Sequence, residues 1–210
     1  MFSKIRSFLT QKDQHRRRNV WIFSTLLVGS AVGLLASFVL SIEAIELAKN
    51  PDVALSCSVS LVLNCATVAK DASAELLGFP NSFIGMITLP VMVTIAVAGL
   101  AGVKFPRWFM QAALAGAFLG AIFAGWMFYM SYYVIGVFCP WCLLTDAAML
   151  VIFFALFRYN ALEGNLCVNN KLSKSIKRFV EKDYDILTLV SVVFIVTAMI
   201  IVKYGDSFFG

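Results

Sequence analysis

Apolar residues fall in five long stretches along this chain, at roughly 20–42, 83–103, 109–131, 139–157 and 186–202, with polar segments between them. A helix needs about 20 mostly apolar residues to cross the hydrocarbon of a bilayer, so the pattern predicts five transmembrane helices. Gly29 and Gly33 stand four apart in the first stretch, and Ala112, Gly116, Gly120 and Ala124 repeat at that interval in the third. Small residues so spaced let helix backbones approach closely in lipid. Pro90 predicts a kink in the second span, or its absorption by a neighbour. Between spans, Ala66–Leu77 repeats Val68, Ala72 and Leu76 near the helical period, which predicts a short helix along the membrane surface. Lys171–Lys182 sets Leu172, Ile176, Phe179 and Val180 against lysines, which predicts an interfacial amphipathic helix.

Composition agrees with the pattern. Of 210 residues, 60% are apolar and 14% charged, too apolar for an ordinary soluble domain. No polar segment is long enough to fold separately. The first apolar run follows a basic stretch, as in a signal peptide. Its length of about 20 residues exceeds the roughly 7–15 of a signal's apolar region, and further spans follow, so it reads as a retained anchor.

Charge supplies the orientation. Lys4, Arg6, Lys12, Arg16, Arg17, Arg18, Lys104, Arg107, Arg158, Lys171, Lys174, Lys177, Arg178 and Lys182 make fourteen of the 17 basic residues, and all fall on one predicted face. By the positive-inside rule that face is cytoplasmic. The net charge of +5 therefore reports topology rather than nucleic-acid binding. The resulting plan is a basic cytoplasmic tail at 1–19, a bundle at 20–157 with an outer loop at 43–82, a cytoplasmic loop at 158–185, and a fifth helix with a short external C-terminus at 186–210. The outer loop carries Glu43, Glu46, Asp52, Asp71 and Glu75, and the loop 132–138 carries no charge. Trp126, Tyr129, Tyr132 and Tyr133 gather at the outer end of the third span, as an aromatic belt would, with a place in the wall of a ligand pocket as the alternative for some of them.

Four of the five cysteines share the outward side, where disulfides persist. Cys139-Pro140-Trp141-Cys142 opens the fourth span. Pro140 suits the first helical position, and the unpaired N–H groups and dipole at a helix start favour a thiolate there. Alone, the spacing is compatible with redox chemistry, a metal site or coincidence. Cys57 and Cys65 lie in the outer loop, where a structural disulfide is the ordinary reading. Two pairs on one face, one at the lipid boundary, instead suggest exchange from pair to pair. The single histidine, His15, falls on the opposite face, which excludes a mixed His/Cys zinc set. Cys167 lies in the cytoplasmic loop and reads as a free thiol without a role.

Cys57-x7-Cys65, Gly78-Phe79-Pro80-Asn81-x3-Gly85 and Phe138-Cys139-Pro140-Trp141-Cys142, in that order over about residues 20–160, resemble the vitamin K epoxide reductase family, in particular bacterial members without a fused thioredoxin-like domain. The resemblance implies an all-α integral membrane protein: a four-helix transmembrane bundle plus a fifth, peripheral transmembrane helix. It implies a quinone-dependent thiol oxidoreductase of the cell membrane, with ubiquinone or menaquinone as cofactor. The partner would be a separate DsbA-type protein on the external face, whose reoxidation drives disulfide formation in exported proteins. Cys57 would meet that partner, Cys65 would exchange with Cys139, and Cys142 would face the quinone. Asn81 matches the family asparagine that hydrogen-bonds a quinone carbonyl; a turn residue after proline is its ordinary alternative. Two positions depart from the pattern. Asp71 replaces a frequent Ser or Thr, and Asp146 stands where vertebrate members have a quinone-binding tyrosine. An ionisable group at that depth is costly and usually functional or paired, so Asp146 is a second candidate for contact with the quinone or a proton path. The rivals are vitamin K epoxide reduction proper, a membrane protein binding soft metals through the four outer cysteines, and a scaffold with two ordinary disulfides. No flavin, nucleotide or resident metal is expected.

Overall fold

In a computed structural model of the chain, the backbone is described for residues 2–53, 55, 57–58 and 63–209, and side chains within residues 14–205 of that set. Among the described residues seven α-helices follow in order: α1 (Phe2–Lys49), α2 (Cys65–Ala69), α3 (Ser82–Leu100), α4 (Arg107–Tyr129), α5 (Pro140–Leu162), α6 (Asn170–Glu181) and α7 (Tyr184–Phe209). No strand occurs among the described residues. Five of these helices are long and apolar enough to cross a membrane, so the protein is an all-α, multi-pass membrane protein. α1 packs along α3 and α5, α4 packs on α5, and α7 lies outside, touching α5 and α6.

The first span runs past its expected end at residue 42. Apolarity stops there, but Glu43-Ala44-Ile45-Glu46-Leu47-Ala48-Lys49 are good helix formers that carry α1 on to Lys49. Pro51 then restricts the residue before it and ends the helix. Glu43 and Glu46 are thus helix residues, not loop residues.

The expected helix over 66–77 breaks in two. Asn64 caps α2 by accepting from the Thr67 N–H, and Asp71, in extended conformation, caps a separate 3-10 turn over Ala72–Glu75. A short polar side chain that binds its own backbone competes with helix continuation. The segment 132–138 is also no plain loop: Met130–Ile135 continues α4 as a π-helical turn, closed by Gly136 in the left-handed region at φ 74°.

Close approach in the core uses the small residues unevenly. A Cβ on Gly33 would stand 3.2 Å from Ala148, and one on Gly85 only 2.2 Å from Ser37 Oγ, so α1, α3 and α5 touch almost backbone to backbone. On α4, Gly120 meets Met149 and Ala124 is buried, whereas Ala112 and Gly116 are exposed. A four-residue repeat drifts about 40° per step around a helix of 3.6 residues per turn, so the stripe leaves the interface. The buried line is Met110, Ala113, Ala117, Ala124 and Met127.

The amphipathic segment forms as α6. It buries Val180 and half-buries Ile176 against the core, while Leu172 and Phe179 remain exposed.

Candidate active site

Cysteine geometry at the start of α5 follows from the sequence. Cys139 is the N-cap of α5, in extended conformation, and Pro140 occupies the first turn. Its sulfur accepts from the Cys142 N–H at 3.4 Å. Cys139 is buried and Cys142 half-buried, and both are free thiols.

The loop after α1 brings the other pair to them. Cys57 and Cys65 are joined as a disulfide. An isolated parallel bridge pairs Leu63 with Phe138, and the Asn64 N–H donates to the Phe138 carbonyl at 2.9 Å. Residues two before Cys65 and one before Cys139 are therefore held side by side. Cys65 Sγ lies 2.9 Å from Cys139 Sγ, with the hydrogen on Cys139, since a disulfide sulfur bears none. Leu55, Val68, Val137 and Trp141 pack around the sulfurs.

Beside them opens a cavity of about 520 Å³. Leu40, Ile84, Leu89, Phe123 and Met127 make most of its wall apolar, and Cys65, Cys139 and Cys142 reach it. Asn81 and Asp146 line it too, so six of the residues expected from sequence converge, Cys57 lying behind the Cys65 bond. None of Trp126, Tyr129, Tyr132 and Tyr133 is in the wall. Tyr132 instead joins Phe138 and Tyr204 in an aromatic cluster, where the Tyr204 hydroxyl donates to the Gly136 carbonyl at 3.1 Å. The C-terminal part of α7 thus braces the segment that delivers Cys139.

Asn81 serves the loop as well as the cavity. Its Oδ1 accepts from the Leu76 N–H at 3.2 Å, and its Nδ2 donates to the Ser73 carbonyl at 2.7 Å and approaches Met127 Sδ at 3.8 Å. Asp71 secures the same turn by accepting from the Ser73 hydroxyl at 2.6 Å and N–H at 2.9 Å. Those two bonds, the hydroxyl's first, hold the Asp71 carboxyl below its ordinary range against a small opposing effect of burial. Asp146 has no hydrogen-bond partner among the described residues and faces the cavity from the second turn of α5.

Sequence reasoning missed Glu43. It is buried at 5% exposure, lines the cavity, and places both carboxyl oxygens 3.2 Å from Cys57 Sγ. A signal was present: Leu40, Glu43, Ala44 and Leu47 continue the inward stripe of Ala36 and Ser37 at helical period.

The donor set answers the metal question by its chemistry. The sulfurs of Cys57, Cys65 and Cys139 lie within 4.8 Å of one another, but two are spent on a disulfide, and a soft cation binds thiolates. A quinone fits better: the walls are apolar, the volume is sufficient for its ring, and an amide, a carboxyl and a thiol project inward.

Two sulfur pairs in contact beside an apolar cavity, at one end of a membrane-spanning bundle, define a membrane-bound redox protein. The family model for the vitamin K epoxide reductase family matches residues 24–157, and the chain belongs to that family. Membership brings an oxidoreductase function of the thiol/quinone kind, with quinone-type molecules as the family's general substrates. No curated protein sequence matches the chain significantly.

Proposed function

We propose that this protein oxidises a DsbA-type dithiol partner on the external face of the cell membrane and delivers the electrons to ubiquinone or menaquinone. The observation that carries this reading is the 2.9 Å approach of Cys65 Sγ to Cys139 Sγ, well inside ordinary sulfur contact and suited to thiol–disulfide exchange. A partner thiolate attacks Cys57, releasing Cys65, and the partner leaves as a disulfide while Cys57 and Cys65 become thiols. Cys65 then attacks Cys139 of a closed Cys139–Cys142 bond, and Cys142 leaves as a thiolate. Cys57 attacks Cys65, the Cys57–Cys65 bond re-forms, and Cys139 is released. The covalent state described here, with the loop pair closed and the α5 pair free, corresponds to the end of that sequence. A quinone in the cavity supplies the two-electron sink that closes Cys139–Cys142 again. Cys142 presents its sulfur to it, and Asn81 and Asp146 supply polar contacts.

The test combines the purified full chain, a reduced DsbA-type partner and each quinone. The expected result is one quinol per partner disulfide, lost in Cys142→Ala. Absence of quinol formation with either quinone contradicts the reading. The cluster of three sulfurs favours one alternative, a soft-metal site in the reduced protein. Copper retained stoichiometrically, without thiol-coupled quinol formation, would establish it.

A further inference from the structure

The sulfur relay as written leaves a proton without a carrier. Cys57 must lose its hydrogen before it attacks Cys65, and it does so in a buried site, since Cys57 is 6% and Cys65 2% exposed. Water is a poor recipient there, and thiolate, not thiol, is the nucleophile. The residue that touches Cys57 is Glu43, with both carboxyl oxygens 3.2 Å from its sulfur. That distance suits a hydrogen bond to sulfur. In the open state the Cys57 thiol donates to the carboxylate. In the closed state described here Cys57 carries no hydrogen, so a hydrogen shared at this contact sits on the carboxyl.

Position adds a second argument. Glu43 belongs to α1, a helix packed against α3 and α5, and not to the loop that carries Cys57. The acceptor therefore stays in place while the loop sulfur changes partners. Glu43 also lines the cavity shared by Cys142 and Asp146 of α5 and by Lys70 and Glu75 of the outer segment. A proton taken from Cys57 is delivered at the wall of the compartment where the thiol-to-quinone reaction consumes protons.

We propose that Glu43 is a catalytic residue, the base that takes the Cys57 proton as the loop disulfide closes and returns it to the cavity side. The step balances: the Cys57 S–H bond breaks and a carboxyl O–H forms. The Cys57–Cys65 bond forms as Cys65–Cys139 breaks, and the electron pair leaves on Cys139 as thiolate. This rests on the thiol-relay reading above, yet the closure itself can be measured without any quinone.

The experiment uses the full chain carrying Cys139→Ala and Cys142→Ala, so that only the loop pair reacts. The pair is reduced, then mixed with hydroxyethyl disulfide, and closure is followed by quenched alkylation and intact mass. General-base assistance contributes on the order of 10²-fold or more. Adding Glu43→Gln should therefore slow closure about a hundredfold, and Glu43→Asp, which withdraws the carboxyl by one methylene, should fall between. Closure at an unchanged rate in Glu43→Gln overturns the proposal. If that variant does not fold, the Glu43→Asp comparison decides, and a rate equal to the parent overturns it. Failure of the cysteine-intact protein to reduce quinone, with a Glu43-dependent closure rate preserved, would instead sink the quinone assignment and leave Glu43 standing.

Discussion

The two ends of α5 both concentrate polar groups in a protein that is otherwise apolar, and they do so in opposite ways. At the basic end ion pairs join the helices. Arg158 donates to Asp185 at 2.8 and 3.0 Å and to Asp183 at 2.5 Å, tying α5 to α7. His15 and Arg18 of α1 reach Glu163, and Asn160 Nδ2 donates to the Met110 and Leu156 carbonyls. At the sulfur end the carboxyls of Glu43 and Asp146 line the cavity, and that of Glu43 also reaches the Cys57 sulfur. Paired charge holds helices together, whereas the Glu43 carboxyl, beside sulfur and a cavity, is the group proposed above for proton transfer.

Substitutions at each end should therefore separate stability from exchange. The largest stability effect is expected at the basic end. Arg158→Met leaves Asp185, at 2% side-chain exposure, without its cation, which costs about 3 kcal/mol or more. Thermal unfolding in detergent should show the loss, while the sulfur exchange rate per folded molecule stays unchanged. A proportionate fall in exchange would mean that the ends are coupled through α5. Next, Gly85→Ala forces a methyl onto Ser37 and separates α1 from α3. Overpacking of this kind costs about 1–3 kcal/mol, and because Glu43 rides on α1, exchange should fall as well. Full activity in a destabilised Gly85→Ala protein would show that α1 need not be held to this tolerance.

The smallest effect is expected at Asp71, where loss of a cap costs about 1 kcal/mol. Its folded carboxyl lies below the ordinary range because of the bonds from Ser73. The contribution is therefore present above the unfolded pKa and is lost as pH falls through the folded one. Asp71→Ala should remove this acid-side component of stability and slow exchange a few-fold by loosening the turn beneath Asn81. An identical acid limb in wild type and Asp71→Ala would exclude that role.

Much of this was legible in the chain because lipid imposes strong rules. Span number and the gathering of basic residues at one end follow from composition alone, since lipid hides no unpaired backbone. Cys139 at an N-cap followed by Pro140 was readable from local chemistry. The meeting of Cys65 with Cys139, 74 residues apart, was implied by the family resemblance alone and not by local pattern, because it depends on the Leu63–Phe138 bridge, which leaves no periodic trace. Glu43 escaped because hydropathy ends the first span where helix propensity does not. The break at Asp71 escaped for the reverse reason: apolar periodicity continued across a residue whose side chain prefers to bind its own backbone.

The central claim is that Cys65 and Cys139 exchange directly. In the full chain carrying Cys57→Ala and Cys142→Ala, mild oxidation should join the remaining two site sulfurs, and peptide mapping should recover a Cys65–Cys139 disulfide in nearly all molecules. Two freely alkylated thiols under the same oxidation, in protein that is otherwise folded, would contradict it.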